Sequence, residues 1–100
     1  MYGTIMRARV KPGVRHVFED EAARNSAAHP DGYLFSELAW EDSDAEALVL
    51  IVHFRDRASY LANAASPEQD AQYRRMLQYF EGEPEWIDIR YAATLGPGGA

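Results

Sequence analysis

Residues 47–54 constrain the fold of this chain more than any other stretch, because they are apolar at every position except His53. A strand that exposes one face to water alternates apolar and polar residues, since successive side chains point to opposite sides of the sheet. The stretch therefore predicts a strand that is buried on both faces. In a chain of 100 residues, helices can cover only one face of a sheet, so we expect a partner subunit to cover the other.

Composition and charge exclude several classes of protein. The 47% hydrophobic content fits one compact domain, and the absence of cysteine excludes disulfide frameworks, zinc ribbons and thiol nucleophiles. A net charge of −6 without a Lys/Arg-rich run argues against phosphate-backbone binding, so we expect no nucleic-acid partner. The longest apolar run is too short to cross a bilayer, and the first residues do not resemble a secretory leader. We therefore expect a cytoplasmic protein without a membrane partner.

The first half of the chain predicts two strands and a helix ahead of the buried strand. In the first strand, alternate residues such as Thr4 and Met6 point to one side, opposite to Ile5. A helix is indicated by the apolar residues that recur at helical spacing from Val14 onward. The predicted elements are a strand at 2–10, a helix at 14–28, a strand at 33–40 and an acidic hairpin loop at 41–46.

The second half of the chain predicts two helices and a last strand. Ser66 can cap a helix whose first residue is Pro67, and Gln69 completes the capping pattern. We expect this helix to bury four apolar residues and to be ended by residues 81–84; the four are Tyr73, Met76, Leu77 and Phe80. The other predicted elements are a helix at 56–64, a strand at 86–91 and, after a domain of residues 1–94, a flexible tail at 95–100.

This order of elements matches a ferredoxin-like split β-α-β fold with a four-stranded antiparallel sheet, which places the chain in the α+β class. Helices cover one face of such a sheet. The opposite face would expose large apolar residues of the second and third strands, which a monomer in water avoids. Two sheets packed through these faces would bury about 1,200–2,000 Å². We therefore predict a homodimer, formed through the sheet faces as a dimeric α+β barrel.

Three segments resemble the antibiotic biosynthesis monooxygenase (ABM) family. Gly32 and Tyr33 follow a His-Pro pair, the buried strand ends in the sequence HFRD at 53–56, and residues 60–67 read YLANAASP. The resemblance covers residues 2–91. Members of this family include cofactor-free oxygenases that act on polycyclic aromatic substrates, quinol monooxygenases and haem-degrading enzymes. The resemblance implies the same fold, which is shared by all of these activities.

Two positions depart from the motifs of the family. Asn63 stands where the helical motif of the family has a histidine, and an amide cannot exchange protons near neutral pH. The haem-degrading branch has an asparagine on the first strand, where this chain offers Thr4 and Met6. The resemblance therefore implies chemistry without haem or another cofactor.

Three residues are candidates for a catalytic role: His53, Asn63 and Tyr73. His53 is the one ionisable group in the buried strand, and a buried imidazole can serve as a general base. The alternative is a structural histidine at the end of the strand or at the dimer interface. Strand register decides between the two, because a shift of one residue reverses the face on which His53 lies.

Further residues are candidates for substrate binding in the space between the sheet and its helices. The aromatic residues among these candidates, together with Tyr73, could stack on a flat substrate or be ordinary core residues. Glu37 and Arg90 could anchor a ligand or pair with each other. Asn25, like Asn63, could hold a substrate oxygen or serve in capping and packing. These candidates are Trp40, Tyr60, Glu37, Arg90, Asn25 and Trp86.

The residues and the resemblance leave three functions open. The first is a cofactor-independent monooxygenase that oxidises a small aromatic or quinol substrate. The second is a non-catalytic dimer that binds an apolar or aromatic ligand or has a structural role, which the loss of the helical histidine favours. The third is a haem-handling protein. We expect no metal ion, because no two of His16, His29 and His53 have the i, i+4 spacing of a metal-binding helix.

Overall fold

The computed structural model describes residues 1–98. In chain order the elements are β1 (Tyr2–Val10), α1 (Arg15–Ala27), β2 (Tyr33–Glu41), β3 (Asp44–Phe54), α2 (Arg57–Ala64), α3 (Pro67–Leu77) and β4 (Phe80–Arg90). The strands form one antiparallel sheet in the order β2-β3-β1-β4, which is the predicted α+β ferredoxin-like topology.

The three helices pack on one face of the sheet, which we call the helical face. Phe18 of α1 is fully buried there, Tyr60 of α2 packs on Tyr2 of β1, and Met76 of α3 packs on the same core. The core cluster consists of Met6, Val10, Phe18, Leu48, Leu50 and Phe80. Strand residues that alternate with these, such as Ile5 and Ile51, point to the other side of the sheet, which we call the open face.

Local hydrogen bonds set the starts of two helices. The Ser66 hydroxyl accepts a hydrogen bond from the backbone N–H of Gln69 at 3.1 Å, so the predicted cap of α3 is confirmed. Asp56 caps α2 in the same way by accepting from the backbone N–H of Ser59 at 2.8 Å. Each cap satisfies a backbone N–H in the first turn of its helix, which would otherwise have no partner within the helix.

The predicted end of α3 and start of β4 are wrong. The helix stops at Leu77, which is 38% exposed instead of buried, and β4 begins at Phe80 instead of Trp86. Phe80 has the expected burial, but it obtains this burial as a strand residue paired with Val10. Residues 81–84, which we expected to end the helix, lie inside β4.

Two smaller predictions concern the hairpin and the tail. The acidic hairpin loop is shorter than expected, because β3 begins at Asp44 instead of Ala47. Of the predicted tail at 95–100, residues 99 and 100 lie outside the described residues. Leu95 is 90% exposed, and the domain boundary at residue 94 stays a prediction.

Candidate functional site

A cavity of about 610 Å³ lies between the helical face of the sheet and the three helices. All four strands and all three helices contribute lining residues. The volume falls within the range of about 300–1,000 Å³ that is usual for small-molecule sites. The cavity is therefore large enough to enclose a small aromatic ligand.

Strand pairing places a row of residues across the helical face, and three of them, Ser36, Val52 and Thr4, line the cavity. Ser36 of β2 and Thr4 of β1 both pair with Val52 of β3, while Asp88 of β4 pairs with Thr4. Paired residues of antiparallel strands point to the same face, so this row puts polar groups on either side of an apolar centre. Adjacent strands lie about 4.8 Å apart, which separates Ser36 from Thr4 by about 10 Å.

The first polar cluster surrounds Tyr33. Its hydroxyl donates a hydrogen bond to Ser26 Oγ at 3.1 Å and lies 2.7 Å from Ser36 Oγ. The ring packs edge-on against Phe54 and stacks with His29, with centroid distances of 5.8 and 6.0 Å. This end of the cavity thus offers hydroxyl groups that can both donate and accept, without a formal charge.

The second polar cluster joins Thr4, Tyr60 and Asp88. Asp88 Oδ1 accepts hydrogen bonds from Thr4 Oγ1 at 2.9 Å and from the Tyr60 hydroxyl at 2.8 Å. Burial, followed by the hydrogen bond to Asp88, raises the pKa of Tyr60 above its ordinary value. Thr4 and Tyr60 line this end of the cavity, whereas Asp88, which accepts from both of their hydroxyls, is not a lining residue.

Aromatic and apolar side chains form much of the remaining lining of the cavity. Tyr73 of α3 and Trp86 of β4 meet at a centroid distance of 5.8 Å and a tilt of 56°. Apolar groups complete the lining around them; they include Leu38, Leu50, Val52, Phe54 and Met76. A flat ring in this space would be held mainly by apolar and aromatic contact.

The side of the cavity formed by α2 and α3 carries a pair of amides. Asn63 Nδ2 donates to Gln69 Oε1 at 3.4 Å. Both residues also line a neighbouring groove of about 360 Å³, together with Pro30. The amide pair therefore lies where the cavity and the groove adjoin.

The structure brings together a subset of the predicted site residues in the cavity. Tyr73 and Trp86 are neighbours, Asn63 lies on the wall formed by α2, and Asn25 lies on the wall formed by α1. Tyr60 belongs to the second polar cluster. Their roles in catalysis or binding stay predictions, since the structure shows position alone.

Other predicted residues lie elsewhere. Trp40 belongs to the core, where its Nε1 donates to Glu19 Oε2 at 2.8 Å. Arg90 lies on the helical face with its guanidinium 6.0 Å from the centre of the Tyr2 ring. Glu37 points to the open face from β2, at the opposite edge of the sheet. Glu37 and Arg90 therefore do not pair with each other.

The register of β3 places His53 on the open face, away from the cavity. His53 pairs with Gly3 of β1 and Phe35 of β2, and it is 6% exposed. Its Nε2 lies 2.7 Å from Glu37 Oε1. The imidazole therefore has a carboxylate partner on the face that carries no helix.

Apart from Tyr60, sequence reasoning did not identify the polar residues of the two clusters as site residues. Asp88 could have been identified from the sequence, because it is an isolated acid between Ile87 and Ile89 in a predicted strand. Its meeting with Thr4 could not be read from the sequence, since the two residues are 84 positions apart. The other missed residues are Ser26, Tyr33 and Ser36.

No helix among residues 1–98 is both long and apolar enough to span a membrane. Within the same residues, no group of three or more His, Asp or Glu side chains is placed to hold a metal ion.

Comparison with solved structures shows a shared fold. One similar structure is that of SnoaB from Streptomyces nogalater, a cofactor-independent oxygenase, solved as an asparagine-to-alanine variant. It has a TM-score of 0.81 and 21% identity, and the match covers 94% of this chain and 95% of SnoaB. A second SnoaB structure has a TM-score of 0.72, 20% identity and coverage of 91% and 94%. A conserved protein from Methanosarcina mazei Go1 has a TM-score of 0.77, 15% identity and coverage of 91% and 92%. At these identities the likeness establishes the fold alone.

Comparison of sequences identifies the family. No curated protein matches the chain. The family model for antibiotic biosynthesis monooxygenase matches residues 1–75, well over half of the 100 residues. The chain therefore belongs to the antibiotic biosynthesis monooxygenase family.

Proposed function

We propose that the protein is a cofactor-independent monooxygenase that oxidises a small aromatic or quinol substrate in the cavity beneath the helices. The observation that carries this proposal is the cavity itself, which has aromatic and apolar walls beside two polar clusters in a chain of the ABM family. SnoaB, which shares the fold, is a cofactor-independent oxygenase, and this supports the same class of chemistry here.

The proposed reaction uses dioxygen as its oxidant. One oxygen atom enters the substrate, as when a ring CH₂ group becomes C=O, and the other leaves as water with the two hydrogens. An electron-rich ring gives electrons to dioxygen more readily after it has lost a proton. The protein would therefore hold the ring, exclude bulk water and accept a proton.

Several cavity residues suit these tasks. Tyr73 and Trp86 would stack on the ring, and the amides of Asn63 and Asn25 would hold substrate oxygens from two walls. We propose that the Asn63 amide and the Tyr73 hydroxyl contact the reacting part of the substrate. His53 faces away from this cavity, so a catalytic role for it stays a prediction without support from the cavity.

We also propose that two copies of the chain pair through their open faces. Phe35 and Ile87 on that face are 47% and 51% exposed, while Ile5 and Ile51 between them are half-buried. Covering such a patch with a second copy removes apolar surface from water, at about 25 cal/mol for each Å² buried. This homodimer would be the predicted dimeric α+β barrel; the cytoplasmic location also stays a prediction.

Oxygen uptake tests the proposed activity. We would measure dioxygen consumption by the purified protein with polyphenols, anthrones and quinols, each with and without added haem or flavin. We expect uptake without a cofactor, and a loss of at least about tenfold in Asn63→Ala and Tyr73→Phe. Tyr79→Phe is the matched control, because Tyr79 packs in the core outside the cavity.

Two outcomes would contradict this function. Saturable binding of these compounds without oxygen uptake would indicate the non-catalytic ligand-binding protein. Uptake that requires added haem and gives a new absorbance band would indicate a haem-handling protein.

A further inference from the structure

The single proton of the Tyr60 hydroxyl is already engaged. It is donated to Asp88 Oδ1 at 2.8 Å, and the same carboxylate oxygen accepts from Thr4 Oγ1 at 2.9 Å. A phenolic hydroxyl has one proton and lone pairs that can accept. The hydroxyl oxygen of Tyr60 therefore keeps lone pairs that can accept a further hydrogen bond, and Tyr60 and Thr4 both line the cavity.

The position of the Tyr60 hydroxyl is held from several sides. The ring contacts Tyr2 and Phe54 at centroid distances of 5.2 and 5.6 Å. Tyr60 also lies in the first turn of α2, which Asp56 caps. A side chain held in this way keeps its oxygen directed at one place, as an acid–base group requires.

Asp88 connects this hydroxyl to solvent. Tyr60 is half-buried, whereas Asp88 is exposed on β4, which forms an edge of the sheet. Burial and Asp88 raise the pKa of Tyr60, which keeps its hydroxyl protonated and donating at neutral pH. A proton could thus move from the cavity to Tyr60 and from Tyr60 to Asp88 at the protein surface.

We propose that Tyr60 accepts the proton of a phenolic hydroxyl on the substrate while it passes its own proton to Asp88. This inference rests on the proposed function in one respect, namely that the substrate occupies the same cavity. It assigns this end of the cavity to a neutral phenol or quinol. A carboxylate would be repelled by Asp88, and a phenol ether has no proton to give.

The proton transfer balances without an oxidant. The O–H bond of the substrate breaks and a new O–H bond forms on Tyr60, while the original O–H bond of Tyr60 breaks and one forms on Asp88. The negative charge moves from Asp88 to the substrate, which becomes a phenolate. Tyr60 contacts the substrate and is a catalytic residue; Asp88 acts through Tyr60 and is a positioning residue that also receives the proton.

A pair of probes tests the recognition of the hydroxyl. Binding of 2-naphthol and of 2-methoxynaphthalene would be measured by the quenching of Trp86 fluorescence. The Trp40→Phe substitution would be present in every protein tested, so that Trp86 is the one source of tryptophan fluorescence. We expect a Kd about tenfold lower for 2-naphthol, as one good hydrogen bond provides. Tyr60→Phe should abolish this preference, whereas Asp88→Asn should keep it, because the hydroxyl remains present.

A second readout tests the proton transfer itself. Excited 2-naphthol is a strong acid, and it emits as naphtholate only when a neighbouring group or water takes its proton. When the bound probe is excited at a wavelength longer than those that tryptophan absorbs, we expect it to emit as naphtholate. Both Tyr60→Phe and Asp88→Asn should suppress it, because an amide oxygen cannot hold the transferred proton. Tyr79→Phe and Asp20→Asn, which lie outside the cavity, are matched controls.

The possible outcomes separate this inference from the proposed function. An unchanged preference and unchanged emission in Tyr60→Phe would overturn the proton acceptor, even if the protein consumes oxygen. Preference and emission that depend on Tyr60 would support it, even if no substrate is oxidised. Binding of neither probe by the wild-type protein would overturn the proton acceptor, while oxygen uptake would still decide the proposed function.

Discussion

His53 and Glu37 meet on the open face of the sheet, with His53 Nε2 2.7 Å from Glu37 Oε1. The imidazole is stacked between Phe35 and Tyr91, at centroid distances of 4.2 and 5.2 Å. Its Nδ1 is buried without a hydrogen-bond partner among residues 1–98. Phe35, which stacks on this buried imidazole, is itself 47% exposed, so the site presents apolar surface that supports the proposal that a second copy covers the open face.

We expect Ile87→Asp to convert the proposed dimer into a monomer. Ile87 is 51% exposed on the open face, and a carboxylate at that position would have to be desolvated in the interface. Sedimentation velocity at micromolar concentration would measure the change. Val17→Asp is the matched control, because Val17 is 50% exposed on α1. If the wild-type protein sediments as a monomer, the dimer proposal is contradicted.

We expect His53→Ala to lower the free energy of unfolding by about 2–3 kcal/mol. The substitution removes the ring between Phe35 and Tyr91 and leaves the Glu37 carboxylate without its partner. Urea unfolding measures the loss, with His16→Ala as the control, since the His16 side chain is 91% exposed. Equal effects of the two substitutions would show that the stacked arrangement contributes no stability.

Gly32→Ala should destabilise the protein more than Gly13→Ala does. Both glycines have positive φ, +82° and +81°, which costs an alanine about 1–2 kcal/mol. A Cβ at Gly32 would in addition overlap the side chain of Ser59, whereas a Cβ at Gly13 meets no atom within 4 Å. We expect a cost of about 3 kcal/mol or more at Gly32. Urea unfolding that gives the same cost at both positions would refute the steric argument.

Acid should weaken the cap of α2. The Ser59 hydroxyl, followed by the Ser59 backbone N–H, lowers the pKa of Asp56 from 3.8 to about 2. Because the pKa is lower in the folded state, the stabilisation is present above about pH 4 and is lost as the pH falls towards 2. The melting temperature of Asp56→Asn should therefore lie below that of the unchanged protein at pH 6 and approach it at pH 2. Asp20→Asn, on the exposed side of α1, should show no such convergence.

Sequence reasoning succeeded where the signal is local. The cap at Ser66 depends on residues within one helical turn, and the first strand was predicted with its observed bounds of 2–10. It failed at Phe80, whose helical spacing from Tyr73 and Met76 was a coincidence. The pairing of Phe80 with Val10 decides its conformation, and that partner lies 70 positions earlier in the chain.

The sequence by itself determined the order of the elements and the fold class, because periodicity, caps and turn residues act over short distances along the chain. Only the tertiary structure decided which side chains share the cavity. Antiparallel pairing of β1 with β4 joins Thr4 to Asp88, and the register of β3 turns His53 to the open face. Register is a relationship between strands that are distant in sequence, and a shift of one residue would exchange the two faces.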